Sequence, residues 1–213
     1  GMVDKYMGDA IMAIYGAPER TRNEAVEAVR SAFEMLESLK DFNRWQAEKK
    51  RPGFHIGIGI NYGVVTVGNI GSEKKMDYTV IGDMVNLGSR LEGLTKEYRQ
   101  PLIISESVAN KVQERYPCRL IDRVIVKGKT AGSGIYTTRK ELSPEEQHAW
   151  GLHEEAARLF YDRKFQDALR LFQKVKQMLP EDLPSAKFIE RCKALVNNPP
   201  PPDWTGAVAM TVK

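Results

Sequence analysis

Two cysteines, three histidines and no long apolar run are the notable scarcities of this 213-residue chain. Cys118 and Cys192 are too few for a disulfide framework and too far apart for a paired-cysteine metal site, so both read as buried thiols of a reducing compartment. His55, His148 and His153 are scattered, which excludes a His-Glu-x-x-His zinc site or a Cys-His ligand set. No stretch approaches the roughly 18 apolar residues that span a bilayer, and Gly1-Met2-Val3-Asp4-Lys5 holds no signal-peptide core. The expected location is cytoplasmic, any membrane anchor belonging to a larger parent. Blocks of Lys and Arg interleaved with aromatics are also missing, so nucleic acid is not the expected partner. The net charge is +4, and the excess lies before residue 140: 22 basic minus 17 acidic residues there gives +5, against 10 minus 11, or −1, afterwards. That surplus suits a small anionic ligand.

Hydrophobic residues at 42% and charged residues at 28% are those of a folding globular chain. Ala10 to Tyr15 form a short apolar run ended by Gly16-Ala17-Pro18 and read as a buried strand. Ala25, Ala28, Val29, Ala32, Phe33, Leu36 and Leu39 recur at helical spacing, predicting one amphipathic helix from Asn23 to about Glu48. Phe54 to Ile60 and Val64 to Asn69, joined by Asn61-Tyr62-Gly63, predict a hairpin. Met76 to Ile81 predicts a strand that Gly82 turns into a helix with Val85, Leu87, Leu91, Leu94 and Tyr98 on its apolar face. Strands follow at 102 to 104, 119 to 126 and 134 to 138. Ser143-Pro144-Glu145-Glu146 is a capping box with proline at the first helical position and marks a boundary. The apolar pattern from Ala156 to Leu179 then resembles a tetratricopeptide unit. A single such unit must lean on a neighbour, either the α/β part or a partner protein. The expected organisation is an α/β domain at 1–140, a helical extension at 141–198, and a Pro-rich spacer and tail at 199–213.

Two motifs mislead. Gly57, Gly59 and Gly63 have the wrong spacing for a dinucleotide fingerprint, and Gly128-Lys129-Thr130 lacks the earlier glycine and the following helix of a P-loop. Two segments remain. In Lys5-Tyr6-Met7-Gly8-Asp9 a carboxylate stands beside a glycine ahead of a strand, a setting suited to a hard cation, so Asp9 is a metal-ligand candidate. In Asp77 to Glu92, Asn86 and Arg90 are four apart and share one helix face, where an amide and a guanidinium can converge on a phosphate.

These segments resemble the class III nucleotidyl cyclase catalytic domain, the adenylate and guanylate cyclase family, over residues 3 to about 138. The resemblance implies an α+β, ferredoxin-like cyclase fold followed by the small all-α helical-repeat extension. It places a purine-selecting lysine at Lys5, a metal-binding aspartate at Asp9 and a second purine-selecting residue at Thr79. It also implies a ribose-orienting Asn86, a transition-state-stabilising Arg90 and a phosphate-contacting Lys127. Lysine with threonine implies adenine, hence ATP, as in the Thr-type bacterial adenylate cyclases. It implies two Mg²⁺ or Mn²⁺ ions per site, attack of the ribose 3′-hydroxyl on the α-phosphorus, and a homodimer in which Asp9 acts with the other protomer's Lys5, Thr79, Asn86 and Arg90. The family's first metal aspartate lies on a strand about 40 residues before the second, so the expectation is an N-terminally truncated piece with little turnover of its own. Taken singly, each residue has an ordinary role: Asp9 capping a turn, Asn86 a surface amide, Arg90 pairing with Asp83 or Glu92. Two other functions remain open, a catalytically silent regulatory domain and a protein-interaction module built on the helical tail.

Overall fold

The computed structural model describes residues 1–72, 75–125 and 132–209, with nothing said of the Lys75 side chain. The predicted phosphate contact Lys127 lies outside the described residues. The chain opens on an antiparallel ribbon, β1 (Met2–Met7) and β2 (Ala10–Ile14), turned by Gly8-Asp9. Gly8 has φ +63°, a left-handed conformation that glycine adopts freely at the first turn position of a two-residue hairpin. Helix α1 (Glu24–Glu48) and the short β3 (Ile58–Ile60) follow, then a second ribbon of β4 (Thr66–Ser72) and β5 (Lys75–Ile81). Helix α2 (Asp83–Tyr98), β6 (Leu102–Ser105), α3 (Glu106–Val112), β7 (Cys118–Ile125) and β8 (Ser133–Thr138) complete the mixed part. Helices α4 (Pro144–Tyr161), α5 (Phe165–Met178) and α6 (Leu183–Asn197) lead to a two-residue strand β9 (Val208–Ala209).

The larger sheet has the order β3-β6-β8-β7-β9. Its interior strand β6, second in that order, is buried on both faces: Leu102 and Ile104 pack with Val29, Ala32 and Phe33 of α1 and Val108 and Val112 of α3, while Ile103 packs with Leu91 and Leu94 of α2. An apolar run without alternation is what such a position requires.

Two expectations are corrected. Residues 54–60 and 64–69 do not form a hairpin: β3 pairs in parallel with β6, and β4 pairs with β5. The turn residues are used otherwise, since Asn61 donates its amide to the Met84 carbonyl at 2.9 Å and neither Asn61 nor Gly63 has positive φ. The strand at 10–14 exists, but only Ile14 is buried, because the β1–β2 ribbon is hydrogen-bonded to no other strand among the described residues.

The capping box forms as expected: Glu146 N–H donates to Ser143 Oγ at 3.2 Å and Ser143 N–H to Glu146 Oε2 at 2.9 Å. The three helices share a core of Phe160, Phe165, Phe172 and Phe188, and Trp204 folds back onto Phe160 and Phe165 with ring centroids 5.4 Å apart in each pair. They lean on the chain's own β7. Asp122 receives Tyr98 OH at 2.7 Å, Tyr161 OH at 3.2 Å and both Nη atoms of Arg191 at 2.8 and 3.1 Å. Arg119 pairs with Asp182 at 2.7 Å, and both side chains are buried.

His153 lies inside this contact. Its Nε2 donates to the Leu120 carbonyl at 2.9 Å, which leaves Nδ1 to accept from the Ser185 hydroxyl, also at 2.9 Å. Burial, reinforced by the Arg119 charge, pushes its pKa down to about 3 against an unfolded value near 6.5. A pKa depressed by folding stabilises above the unfolded value and is lost as pH falls below it. Moving from pH 7.5 to 5 is therefore expected to cost about 2 kcal/mol of folding free energy through this residue alone. Urea midpoints at the two pH values measure it, and His153→Gln should flatten the dependence. The depressed Asp182 carboxyl acts only below its ordinary range near 3.8 and does not contribute in that window.

Candidate functional site

Strand β5 runs through Gly82 directly into α2, so Thr79, Asn86 and Arg90 are delivered by one strand-to-helix connection. Gly82 has φ +149°, a conformation that side-chain-bearing residues adopt only with strain. The depth of α2 is set by Gly59 of β3: a Cβ there would clash with the backbone of Gly88 and Glu92, standing 2.9 Å from the Glu92 Cα. The glycines that imitate a dinucleotide motif thus serve close strand-to-helix packing. Asn61 holds the first turn of α2 through Met84.

On α2, Asn86 is exposed and Arg90 half-buried. No hydrogen bond or ion pair to another described residue occupies either side chain, so Arg90 is not the helix-surface partner of Asp83 or Glu92.

Lys5 and Thr79, far apart in sequence, meet at a residue that the motif reading left unassigned. Asp4 has a fully buried side chain whose Oδ2 accepts the Thr79 hydroxyl at 3.0 Å and lies 3.4 Å from Lys5 Nζ. Thr79 is itself buried and faces Gly68 across the β4–β5 ribbon. Strand alternation argues against adjacent residues sharing a partner, which is why Asp4 escapes a sequence reading. The register of β1 against β2 shifts between Val3 and Lys5, so Asp4 is an extra residue with no cross-strand partner and the alternation breaks there.

Asp9 occupies the second turn position of the β1–β2 ribbon and is exposed. Among the described residues it makes no hydrogen bond or ion pair with Lys5, Thr79, Asn86 or Arg90, and no three His, Cys, Asp or Glu side chains cluster as a metal would require. Within one chain Lys5 and Thr79 are joined through Asp4, Asn86 and Arg90 follow Thr79 along α2, and Asp9 sits at the turn of the ribbon that carries Lys5.

The family model described as the adenylate and guanylate cyclase catalytic domain matches residues 4–141. The chain is 33% identical over 200 residues to the terminal-differentiation-specific adenylate cyclase of Dictyostelium discoideum, covering 90% of this chain and 9% of that protein. It is 39% identical over 143 residues to an adenylate cyclase of Anabaena cylindrica, covering 65% of this chain and 28% of that protein. The chain therefore spans less than a third of the length of either relative. Among solved structures, the adenylyl cyclase CyaB from P. aeruginosa superposes with TM-score 0.60 at 32% identity over 67% of this chain and 75% of that one. The guanylyl cyclase Cya2 superposes with TM-score 0.57 at 32% identity over 68% and 72%. With the family model covering more than half of its residues, this chain belongs to the adenylate and guanylate cyclase catalytic domain family.

Proposed function

We propose that residues 4–141 supply the nucleotide-reading half of an adenylate cyclase site that converts ATP to cyclic AMP and pyrophosphate. The observation that carries the adenine preference, and with it the Thr-type subgroup, is the joining of Lys5 and Thr79 through Asp4. Lys5 offers a hydrogen-bond donor to the base, and Asn86 orients the ribose. Arg90 puts its guanidinium against charge that builds on the phosphate as the 3′-oxygen bonds to the α-phosphorus and the bond to pyrophosphate breaks. Lys127 adds a phosphate contact.

A pair of Mg²⁺ or Mn²⁺ ions does not fit the described residues of one chain alone, since Asp9 is an exposed carboxylate with no cluster of further ligands around it among them. Its exposure at the ribbon turn, without a second carboxylate beside it among the described residues, supports a homodimer in which the tip of one protomer completes the site of the other. Exposed apolar side chains on the two ribbons, Tyr6 at 74%, Ile11 at 60% and Met76 at 62%, give such a partner a surface to cover. The edge of β3 away from β6 is unpaired among the described residues, which supports a further strand carrying a second carboxylate there. The helices α4–α6 fit a tetratricopeptide-like unit whose neighbour is β7 of the same chain.

Product analysis of the longer enzyme containing this chain tests the proposal, with ATP and GTP supplied separately. Cyclic AMP is expected from ATP at more than tenfold the rate of cyclic GMP from GTP. A preference for GTP overturns the base assignment. No cyclic nucleotide from either, in a dimer that binds ATP, favours the silent regulatory domain.

A further inference from the structure

Asp4 belongs to no part of the expected catalytic set, yet its side chain is fully buried between the two residues assigned to the base. A carboxylate only accepts hydrogen bonds, so at the 3.0 Å contact the Thr79 hydroxyl must be the donor. Its one proton is committed, and what remains toward a ligand is a pair of acceptor lone pairs. The Lys5 ammonium, 3.4 Å from the same oxygen, has three donors and no acceptor. Oδ1 of Asp4 is buried and has no hydrogen-bond partner among the described residues. A buried carboxylate with one oxygen left without a partner is costly, so tethering a strand is a poor reason to keep one. An apolar residue would fill the place at lower cost.

We infer that Asp4 is a positioning residue for base selection: by holding the Thr79 proton it makes that hydroxyl an obligate acceptor, so that with the donor Lys5 the site matches adenine and mismatches guanine. Adenine presents the acceptor N1 beside a 6-amino donor; guanine presents the same two positions with reversed polarity, N1–H beside the acceptor O6. A threonine hydroxyl free to rotate can donate or accept and tolerates either base. One whose proton is held tolerates a donor only, and the wrong base leaves two acceptors facing each other in a buried place, where mismatch is most costly. The β-bulge at Asp4 puts the carboxylate where both partners can reach it.

This inference rests on Lys5 and Thr79 reading the base, and the test separates the two ideas. In the full-length enzyme, kcat/KM is compared for ATP, for GTP and for purine riboside triphosphate, which lacks the 6-amino group. Asp4→Asn keeps the side-chain shape but turns a carboxylate oxygen into an amide donor. It is expected to lower the ATP-to-GTP ratio tenfold or more, and to shrink the penalty for losing the 6-amino group by a similar factor. Thr79→Val should lower the ratio as well, and the double variant should be no worse than the lower single one, because both act through one hydroxyl. If Thr79→Val relaxes selection and Asp4→Asn leaves it intact, the role of Asp4 is overturned and the base assignment stands. If neither changes the ratio, the base assignment itself fails. If Asp4→Asn folds poorly, the substrate series on the unaltered enzyme still decides: no penalty for the missing 6-amino group would show that Thr79 accepts nothing from the base.

Discussion

Arg90→Ala is expected to lower kcat by roughly 10²- to 10³-fold while the KM for ATP changes by no more than a few fold. The helix that carries Arg90 is fixed from three sides, by the close approach of Gly59, by Asn61 on Met84 and by the burial of Leu91 and Leu94. In the proposed site its guanidinium is already positioned for the reaction, and no described residue of its own chain competes for it. Charge on the phosphate oxygens grows as the α-phosphorus becomes five-coordinate, so a fixed cation is worth more there than in the bound ground state. Substituting an exposed or half-buried helix residue by alanine, the best helix former, should leave the fold intact, and a thermal melt checks this. A loss confined to KM would make Arg90 an ordinary nucleotide-binding residue.

Mixing two inactive variants, Asp9→Ala and Arg90→Ala, is expected to restore activity to roughly one quarter of the unaltered enzyme. Under two-fold symmetry each mixed dimer carries one site with both intact residues and one with neither, and random pairing makes half of the dimers mixed. The expectation follows from the proposed homodimer and from Asp9 being exposed at a turn with no hydrogen bond or ion pair to Arg90 among the described residues. Were all five residues to serve one site within one chain, mixing would restore nothing. Activity from either variant alone would remove that residue from the chemistry.

Periodicity located the elements whose burial it encodes. Helix α1 shows Ala25, Ala28, Val29, Ala32 and Phe33 on its buried face, and α2 shows Leu91, Leu94 and Tyr98. The capping box at Ser143 was equally legible, because both of its hydrogen bonds are local. Pairing partners were not. The turn chemistry at Asn61-Tyr62-Gly63 looks like a hairpin until α2 arrives to take the Asn61 amide and the space beside Gly59, neither of which is local in sequence. The true hairpin at Gly8-Asp9 hides its first strand, because Met2–Met7 lacks a clean alternation and contains a bulge. For the site, Lys5, Asp9, Thr79, Asn86 and Arg90 stood out by motif. Asp4 did not, since its meaning comes from a long-range contact with Thr79 that no spacing rule anticipates.

The two borders of the large sheet are unlike. On one side the polypeptide returns after its proline run, whose carbonyls at Pro200 and Pro201 are gripped by Arg163, and lays Val208 and Ala209 alongside Val124 and Ile125. Among the described residues that border is covered by the short strand β9, and short edge strands template little further growth. The opposite border, at β3, has no such guard among the described residues. The β3 flank is therefore where an additional strand is expected to add, and a charged or proline substitution along Ile58–Ile60 is expected to discourage it.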